Sequence, residues 1–363
     1  MATCIGCGVS SSAISATLGL CVECLRRGGQ RWHGHIEAVH ARVRARFGLP
    51  PAAPRSQAGA ACDLCLHTCR MAEGETSYCG LRHNEGGTVV GGEASDGRLD
   101  WYHDALPTNC VADWVCPGGT GAGYPEFAYR RGPETGYTNL AVFYRACSFD
   151  CLFCQNWHFR RGPGRSRRPE QLAASVTDRT ACICYFGGDP GPQLPHAVLA
   201  SELAREAAGG RILRICWETN GGMSPAWLER MVALSLASGG CVKFDLKAWD
   251  ETLHRALCGV SNSRTLANFR RVSARRAERE VPPLLVASTL MVTGYVDAQE
   301  VGAIARFIAS VDPRIPYALL AFGPEFEMAD LPPTPRAQAE ECLRAAREAG
   351  LEDVRLGNPW LLR

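Results

Sequence analysis

From Asn139 onward, short apolar runs alternate with longer amphipathic stretches. The runs are Leu140–Tyr144, Ala181–Phe186, Ile212–Trp217, Cys241–Leu246, Leu284–Met291 and Tyr317–Phe322. Their length and near-continuous apolar character fit strands covered on both faces, as in parallel sheets. The stretches between them carry helix starts. Ser224-Pro225 and Thr334-Pro335 each set a cap residue before a proline at the first helical position. Asp297-Ala-Gln-Glu300 has the spacing of a capping box. Six alternations predict an α/β fold, a parallel sheet covered by helices. Six units are too few for a closed eight-stranded barrel. The expected shape is therefore a partial (β/α)6 barrel.

Upstream of that region the periodicity fades and cysteines dominate. Cys4-x2-Cys7 and Cys21-x2-Cys24 form one group. The stretch Leu49-Pro50-Pro51-Ala52-Ala53-Pro54-Arg55 reads as a linker. Cys62-x2-Cys65-x3-Cys69-x9-Cys79 follows, and then a glycine-rich segment up to about Gly132. The predicted organisation is a Cys4 zinc-ribbon-like segment over residues 1–48 and a linker over 49–60. A Cys-rich extension with a second metal site then spans 61–132, and the barrel spans 133–363.

Composition changes the picture chiefly through its nineteen cysteines. The first residues show no basic segment followed by an apolar one, the pattern of an export signal. The cysteines are therefore expected to be metal ligands in a reducing cytoplasm, not disulfides. No apolar run approaches the roughly 20 residues that span a bilayer. A net charge of +2 offers no general field for nucleic acid or an acidic membrane.

The candidate chemistry follows the first predicted strand, in Cys147-Ser-Phe-Asp-Cys151-Leu-Phe-Cys154. Thiolates are soft ligands that suit iron–sulfur clusters or zinc. Three local thiolates leave the fourth iron of a cube open. A zinc knuckle with His158 as its fourth ligand is the competing reading. In parallel β/α folds, sites form at the C-terminal ends of strands. The later predicted strands end there in Gly187-Gly188-Asp189-Pro190, Glu218-Thr219-Asn220-Gly221 and Asp245-Leu-Lys247. The last two end in Ser288-Thr289 with Thr293-Gly294, and in Gly323-Pro324-Glu325.

With these stretches in place, the chain resembles the radical S-adenosylmethionine (radical SAM) superfamily. Within it, the likeness is to pyruvate formate-lyase activating enzymes and the AmmeMemoRadiSam-system radical SAM proteins. Matching stretches are Cys147–Trp157, Gly187–Pro190, Glu218–Gly221, Phe244–Lys247 and His254–Asn262, and Cys62–Asn84 resembles the second family's N-terminal motif. The likeness covers roughly residues 60–360. It implies that Cys147, Cys151 and Cys154 hold a 4Fe–4S cluster whose open iron takes S-adenosylmethionine (SAM). It implies that Gly187, Gly188 and Asp189 hold the SAM amino group. Glu218, Thr219 and Asn220 would approach SAM's polar end, while Asp245 and Lys247 contact it from the fourth strand, Lys247 as the catalytic lysine. It also implies a monovalent cation at Glu218, Thr219 and Asp245. The implied activity is reductive cleavage of SAM to a 5′-deoxyadenosyl radical and hydrogen abstraction from a protein, peptide or small molecule. Flavodoxin or ferredoxin would supply the electron.

Two further cysteine groups are metal candidates. Cys4, Cys7, Cys21 and Cys24 have the paired spacing of a four-thiolate zinc site. Cys62, Cys65, Cys69 and Cys79 suit zinc, a single iron or an auxiliary iron–sulfur cluster alike. Cys110 and Cys116 either line the active site or, like Cys182, Cys184 and Cys216, serve as small buried apolar residues. The run from Arg160 to Arg168 is either a solvated loop or a dock for an acidic electron donor. Two competing functions are a radical SAM methyltransferase and a zinc-ribbon nucleic-acid-binding protein with a degenerate barrel. No cobalamin motif is recognisable for the first. Near-neutral charge and the intact triad count against the second.

Overall fold

The computed structural model describes residues 1–162 and 164–363. Its centre is a nine-stranded sheet. The strands are β1 (Gly97–Ala105), β2 (Thr138–Tyr144), β3 (Thr180–Phe186), β4 (Arg214–Thr219), β5 (Val242–Asp245), β6 (Leu285–Met291), β7 (Tyr317–Ala321) and β8 (Val354–Gly357). The two-residue strand Ser166–Arg167 completes the edge beside β1. Strands β2 to β8 are parallel and lie side by side in chain order, while β1 runs antiparallel to β2. Each of the six predicted runs falls on one of β2 to β7. Two strands lie beyond that reading. β8, Val-Arg-Leu-Gly, is too short and too polar to register as an apolar run. β1 lies near the edge and mixes polar with apolar positions because part of it faces water.

The longer helices are α1 (Val22–Gly28), α2 (His33–Ala45), α3 (Leu194–Ala207), α4 (Pro225–Ser238), α5 (Glu251–Cys258), α6 (Ser263–Ser273), α7 (Ala298–Val311) and α8 (Arg336–Glu348). Because each crossover steps to the next strand in the same direction, α3 to α8 collect on one face of the sheet. Against them point Ile183, Tyr185, Ile215, Trp217, Val242 and Phe244, all buried. Side chains alternate along a strand, so the opposite face carries Cys184, Cys216, Glu218, Lys243, Asp245 and Ser288. These line cavities on the concave side.

The predicted helix starts hold in part. α4 begins at Pro225 after Ser224. Asp297 caps α7 by accepting from the Glu300 amide at 3.0 Å. Glu300 does not return the contact as a capping box requires. Its carboxylate accepts from the amides of Trp249 and Asp250 and pairs with Arg26. α8 starts one residue later than expected, because the Thr334 hydroxyl is taken by Met291 O and the Phe322 amide.

Two segments outside the β/α repeats shape the site. Residues 1–48 pack into the same core as the barrel, with Leu18, Leu20, Leu25, Ile36, Val39 and Val43 buried there. Arg26 reaches Asp297, and the Ser15 amide donates to the Tyr295 hydroxyl. The second segment, a strap, runs from Leu106 to Gly118 and links the β2 and β8 sides of the parallel part of the sheet. On the β2 side the Leu106 amide donates to Tyr137 O at 3.0 Å. On the β8 side the Trp114 indole donates to Asp353 at 2.9 Å, Asp113 pairs with Arg355, and Asn109 donates to Asn358. Beneath the strap, the buried pair Arg214–Glu134 closes the floor.

Candidate active site and metal centres

A cavity of about 370 Å3 opens at the C-terminal ends of the strands. The loop after β2 brings Cys147, Cys151 and Cys154 to it, and the ends of β3, β4 and β5 bring the remaining site residues named from the sequence. The loops between strand and helix do this because the strand ends all point one way. None of the three thiols is highly exposed, and Cys151 is buried.

The cysteine loop is held from several sides. The amides of Asp150 and Leu152 donate to Cys258 O and Leu257 O at the end of α5, each at 2.9 Å. Asp150 accepts from His40 of α2 at 2.7 Å and from Arg160, with Arg44 at 3.6 Å. Burial works to raise the Asp150 carboxyl, but His40 and Arg160 hold it down to about 2. His67 reaches Ser148 O at 2.7 Å. Ala146, just before Cys147, has φ 137°, a conformation that costs energy outside glycine. Its carbonyl accepts from the Asp189 amide at 3.0 Å, so the first two strand ends are stitched together. Burial raises the metal-free Cys154 thiol to about 11, so a bound metal displaces its proton.

Gly187 and Gly188 make a cradle that no side chain fits. Both have positive φ, and a Cβ would lie 1.9 Å from the Phe143 ring at Gly187 and 2.3 Å from Tyr144 O at Gly188. Asp189 follows, 3% exposed. Its Oδ1 accepts from the Gly191 amide at 2.7 Å, and its Oδ2 from the Asn220 amide at 2.8 Å and the Thr219 hydroxyl at 2.9 Å. Burial pushes this carboxyl up to about 6 against those donors. Three of its roughly four lone-pair positions are thus used by the protein. The Asn220 side-chain Nδ2 donates to Cys147 Sγ at 3.4 Å, which puts the β4 end against the triad. At the end of β5, Lys247 pairs with Asp245 Oδ2, while the buried Asp245 Oδ1 has no partner among the described residues.

The three carbonyl-side positions implied for a monovalent cation are engaged differently. Glu218 accepts from Lys243 Nζ at 2.9 Å, Thr219 donates to Asp189, and Asp245 takes Lys247. Lys243 was not singled out from the sequence. The alternation Lys243-Phe-Asp245-Leu-Lys247 carries the signal, since period two puts all three polar residues on one face. His40 and His67 were also missed, because sequence spacing gives no hint that they meet the cysteine loop. Arg160 was counted in a charge run, yet it is buried on Asp150. Arg161, Arg165 and Arg168 of that run are exposed, and position 163 lies outside the described residues. His158, the zinc-knuckle candidate, stacks on Trp157.

Among the described residues, Cys4, Cys7, Cys21 and Cys24 bring their four sulfurs within 4.8 Å of one another. Cys7 and Cys21 are 3.8 Å apart, the separation expected of thiolates around one tetrahedral ion. The amides of Cys21 and Gly6 donate to Cys4 Sγ at 3.3 and 3.4 Å. Burial works against the Cys4 thiolate, but such amides bring its pKa down to about 6. In the second group, Cys62 and Cys69 oppose each other across a short hairpin, and Cys65 bridges to Met223 at the β4 end. Among the described residues, no three sulfurs of this group lie within 4.8 Å of one another.

Residues 141–308 match the family model described as the Radical SAM superfamily, and the chain is an enzyme of the radical SAM class. An uncharacterized protein of Methanocaldococcus jannaschii is 25% identical over 311 residues, covering 82% of this chain and 80% of that protein. The isethionate sulfite-lyase activating enzyme of Oleidesulfovibrio alaskensis is 34% identical over 141 residues, covering 39% of this chain and 41% of that enzyme. Among solved structures, a domain of a pyruvate-formate lyase-activating enzyme from Bacteroides vulgatus aligns at a TM-score of 0.38 and 21% identity. That alignment covers 48% of this chain and 98% of that domain. Enzymes of this class use a 4Fe–4S cluster and SAM and draw an electron from a reductant. Among the described residues, no helix is long and apolar enough to cross a membrane.

Proposed function

We propose that this enzyme cleaves SAM reductively and takes hydrogen from a small substrate, or from one residue of a peptide, held at the strand ends. The observation that carries the size of the substrate is the strap. Trp114 and Asp113 tie it to Asp353 and Arg355, so the strap bridges the β2 and β8 sides of the parallel strands and forms one wall of the cavity. A folded partner therefore has no lateral gap through which to thread a backbone loop. The partial similarity to an activating enzyme favours a protein substrate, and the strap argues the other way.

The residues present fit the cluster and SAM. Three thiols converge on one cavity wall, a side-chain-free cradle faces them, and a buried carboxylate oxygen of Asp245 is left without a partner among the described residues. Cys147, Cys151 and Cys154 would hold the cluster. Gly187, Gly188, Asp189, Glu218, Thr219, Asn220, Asp245 and Lys247 would hold SAM. When bound, these groups supply one-electron cleavage of SAM and a 5′-deoxyadenosyl radical. The chain's own part is placement. Asp189 fixes Thr219 and Asn220 relative to the glycine cradle, and Lys247 sets a positive charge beside the triad. The strap and the buried Arg214–Glu134 pair bound the barrel at its other end.

The four N-terminal thiols would take zinc as a structural ion, and the Cys62 group a second metal. Exposed Arg161, Arg165 and Arg168, close to the cluster loop, support docking of an acidic electron donor such as flavodoxin or ferredoxin. Free thiols at all nineteen cysteines support a reducing, cytoplasmic setting.

The test is anaerobic reconstitution with iron and sulfide, chemical reduction, and assay of 5′-deoxyadenosine with cell extract split by dialysis. Turnover should rise several-fold with the dialysable fraction. Stimulation by the retained protein fraction alone would overturn the substrate reading.

A further inference from the structure

Below the reaction cavity lies a second chamber of about 350 Å3, which shares Cys110, Phe186, Glu218 and Lys243 with the space above. Six of its lining residues are cysteines: Cys182, Cys184, Cys216, Cys241, Cys110 and Cys116. Register explains how the strands place theirs. Cys184 pairs directly with Cys216 across β3 and β4. Trp217 pairs with Val242, which sets Cys241 beside Cys216 at the start of β5. Alternation then turns these thiols to the concave face. The strap brings Cys110 and Cys116 from the opposite side.

Four of the six face one another across the chamber, two from the sheet and two from the strap. Lys243 Nζ lies 3.0 Å from Cys184 Sγ and 3.1 Å from Cys110 Sγ, so those two sulfurs are within about 6 Å of each other. Cys184 is in register with Cys216 on the sheet, and Cys110 and Cys116 of the strap line the same chamber from the other side. The set is wider than one ion needs. Among the described residues, only the N-terminal group brings three or more such ligand atoms within 4.8 Å of one another. The Cys147 triad, whose class holds a cluster, is likewise wider than that. Spread of this kind suits several irons, with each sulfur serving its own.

Free thiols are also a poor wall here. The hydrogen of an S–H group is easier to remove than that of a C–H group. Cys110, which lines both spaces, and Cys184, which touches the shared Lys243, would drain a carbon radical as open thiols, whereas thiolates on iron carry no such hydrogen. Lys243 adds N–H donors to two of these sulfurs, while its charge is shared with Glu218, which accepts from it at 2.9 Å.

We propose that Cys110, Cys116, Cys184 and Cys216 hold a second iron–sulfur cluster inside the barrel, apart from the cluster of the Cys147 triad. The test uses the full chain, reconstituted with 57Fe. Replacing Cys147, Cys151 and Cys154 by Ala removes the first centre, and the iron and acid-labile sulfide that remain are counted. Adding Cys184→Ala and Cys216→Ala to that background should remove about four further irons per chain. The sulfide should go with them, while the N-terminal and Cys62 groups stay intact. Unchanged iron in a folded quintuple variant overturns the proposal, as does loss of zinc without loss of sulfide. Should that variant fail to fold, Cys110→Ala in the background without the triad serves, because its side chain comes from the strap and not from the sheet. It should alter the Mössbauer and electron paramagnetic resonance spectra that survive loss of the triad, and unaltered spectra overturn the proposal. The outcome is separable from the functional reading. A chain that forms 5′-deoxyadenosine but shows no inner iron sinks only this proposal, and the reverse result sinks only the other.

Discussion

His40 Nδ1 lies 2.7 Å from Asp150 Oδ2, which ties helix α2 to the loop between the first two cysteines of the triad. Arg160 and Arg44 reach the other oxygen of the same carboxylate. All four groups are buried. An ion network of this kind is costly to break from one side, because the remaining charges stay buried without a partner.

Asp150→Asn should therefore destabilise the fold by about 3–5 kcal/mol, since two guanidinium groups lose their counter-charge. The loop that carries Cys151 should loosen as well. Chemical denaturation and iron content after reconstitution both report on this. A variant with wild-type stability and full iron would show that the network does not hold the loop.

The same network bears on the N-terminal segment. Removing residues 1–48 takes away His40 and Arg44 and uncovers the apolar wall that Leu18, Leu20, Leu25, Ile36, Val39 and Val43 cover. Burial of each such side chain contributes about 1.5–3 kcal/mol, so their joint loss is of the same order as the whole stability of an ordinary domain. The truncated chain should be insoluble or molten. A soluble, cooperatively melting product that binds iron at the triad would overturn that expectation.

How far the molecule was legible follows from the range over which each signal acts. The strands β2 to β7 were readable because a strand buried on both faces needs a continuous apolar run. β8 was not, because its four residues carry an exposed arginine. The site residues at the ends of β2 to β5 were readable through local motifs, and the fold brings them to one cavity. Contacts between distant segments left no local trace. Asp150 lies 110 residues from His40, and Trp114 lies 239 from Asp353. The proline-rich stretch after Leu49 reads as a linker, yet chain on both sides of it packs against the barrel, which composition cannot reveal. The thiols of β3 and β4 were read as small apolar residues. Only the concave curl of the sheet shows that they share one chamber.

His254 gives a pH dependence. It is buried, Nδ1 donates to Val260 O at 2.7 Å, and burial lowers its pKa to about 4. In the unfolded chain the ring takes a proton near 6.5. Between those values the unfolded state binds more protons than the folded one, so stability falls as pH drops from 6.5 toward 4. The loss from this one group is about 3 kcal/mol across the window. His254→Gln keeps a donor for Val260 O without the titration. Its stability curve should be flatter than that of the wild type between pH 6.5 and 4, and parallel curves would remove His254 as a source of acid sensitivity.

Asp189 carries the last prediction. Its carboxylate gathers the Gly191 amide, the Asn220 amide and the Thr219 hydroxyl, and so locks the cradle after β3 to the end of β4. One lone-pair position is left to face the cavity, where a ligand ammonium would find it. Asp189→Ala removes that acceptor and frees the two strand ends at once. A charge-assisted contact of this type is worth about 1.5–3 kcal/mol, so SAM affinity should fall roughly tenfold to a hundredfold. Asp189→Asn keeps one acceptor oxygen and should fall between the two. Iron content should not change in either variant, because Asp189 touches no iron ligand with its side chain. Equilibrium titration of SAM into the reconstituted proteins measures this, and an unchanged dissociation constant in Asp189→Ala would take the residue out of the binding site.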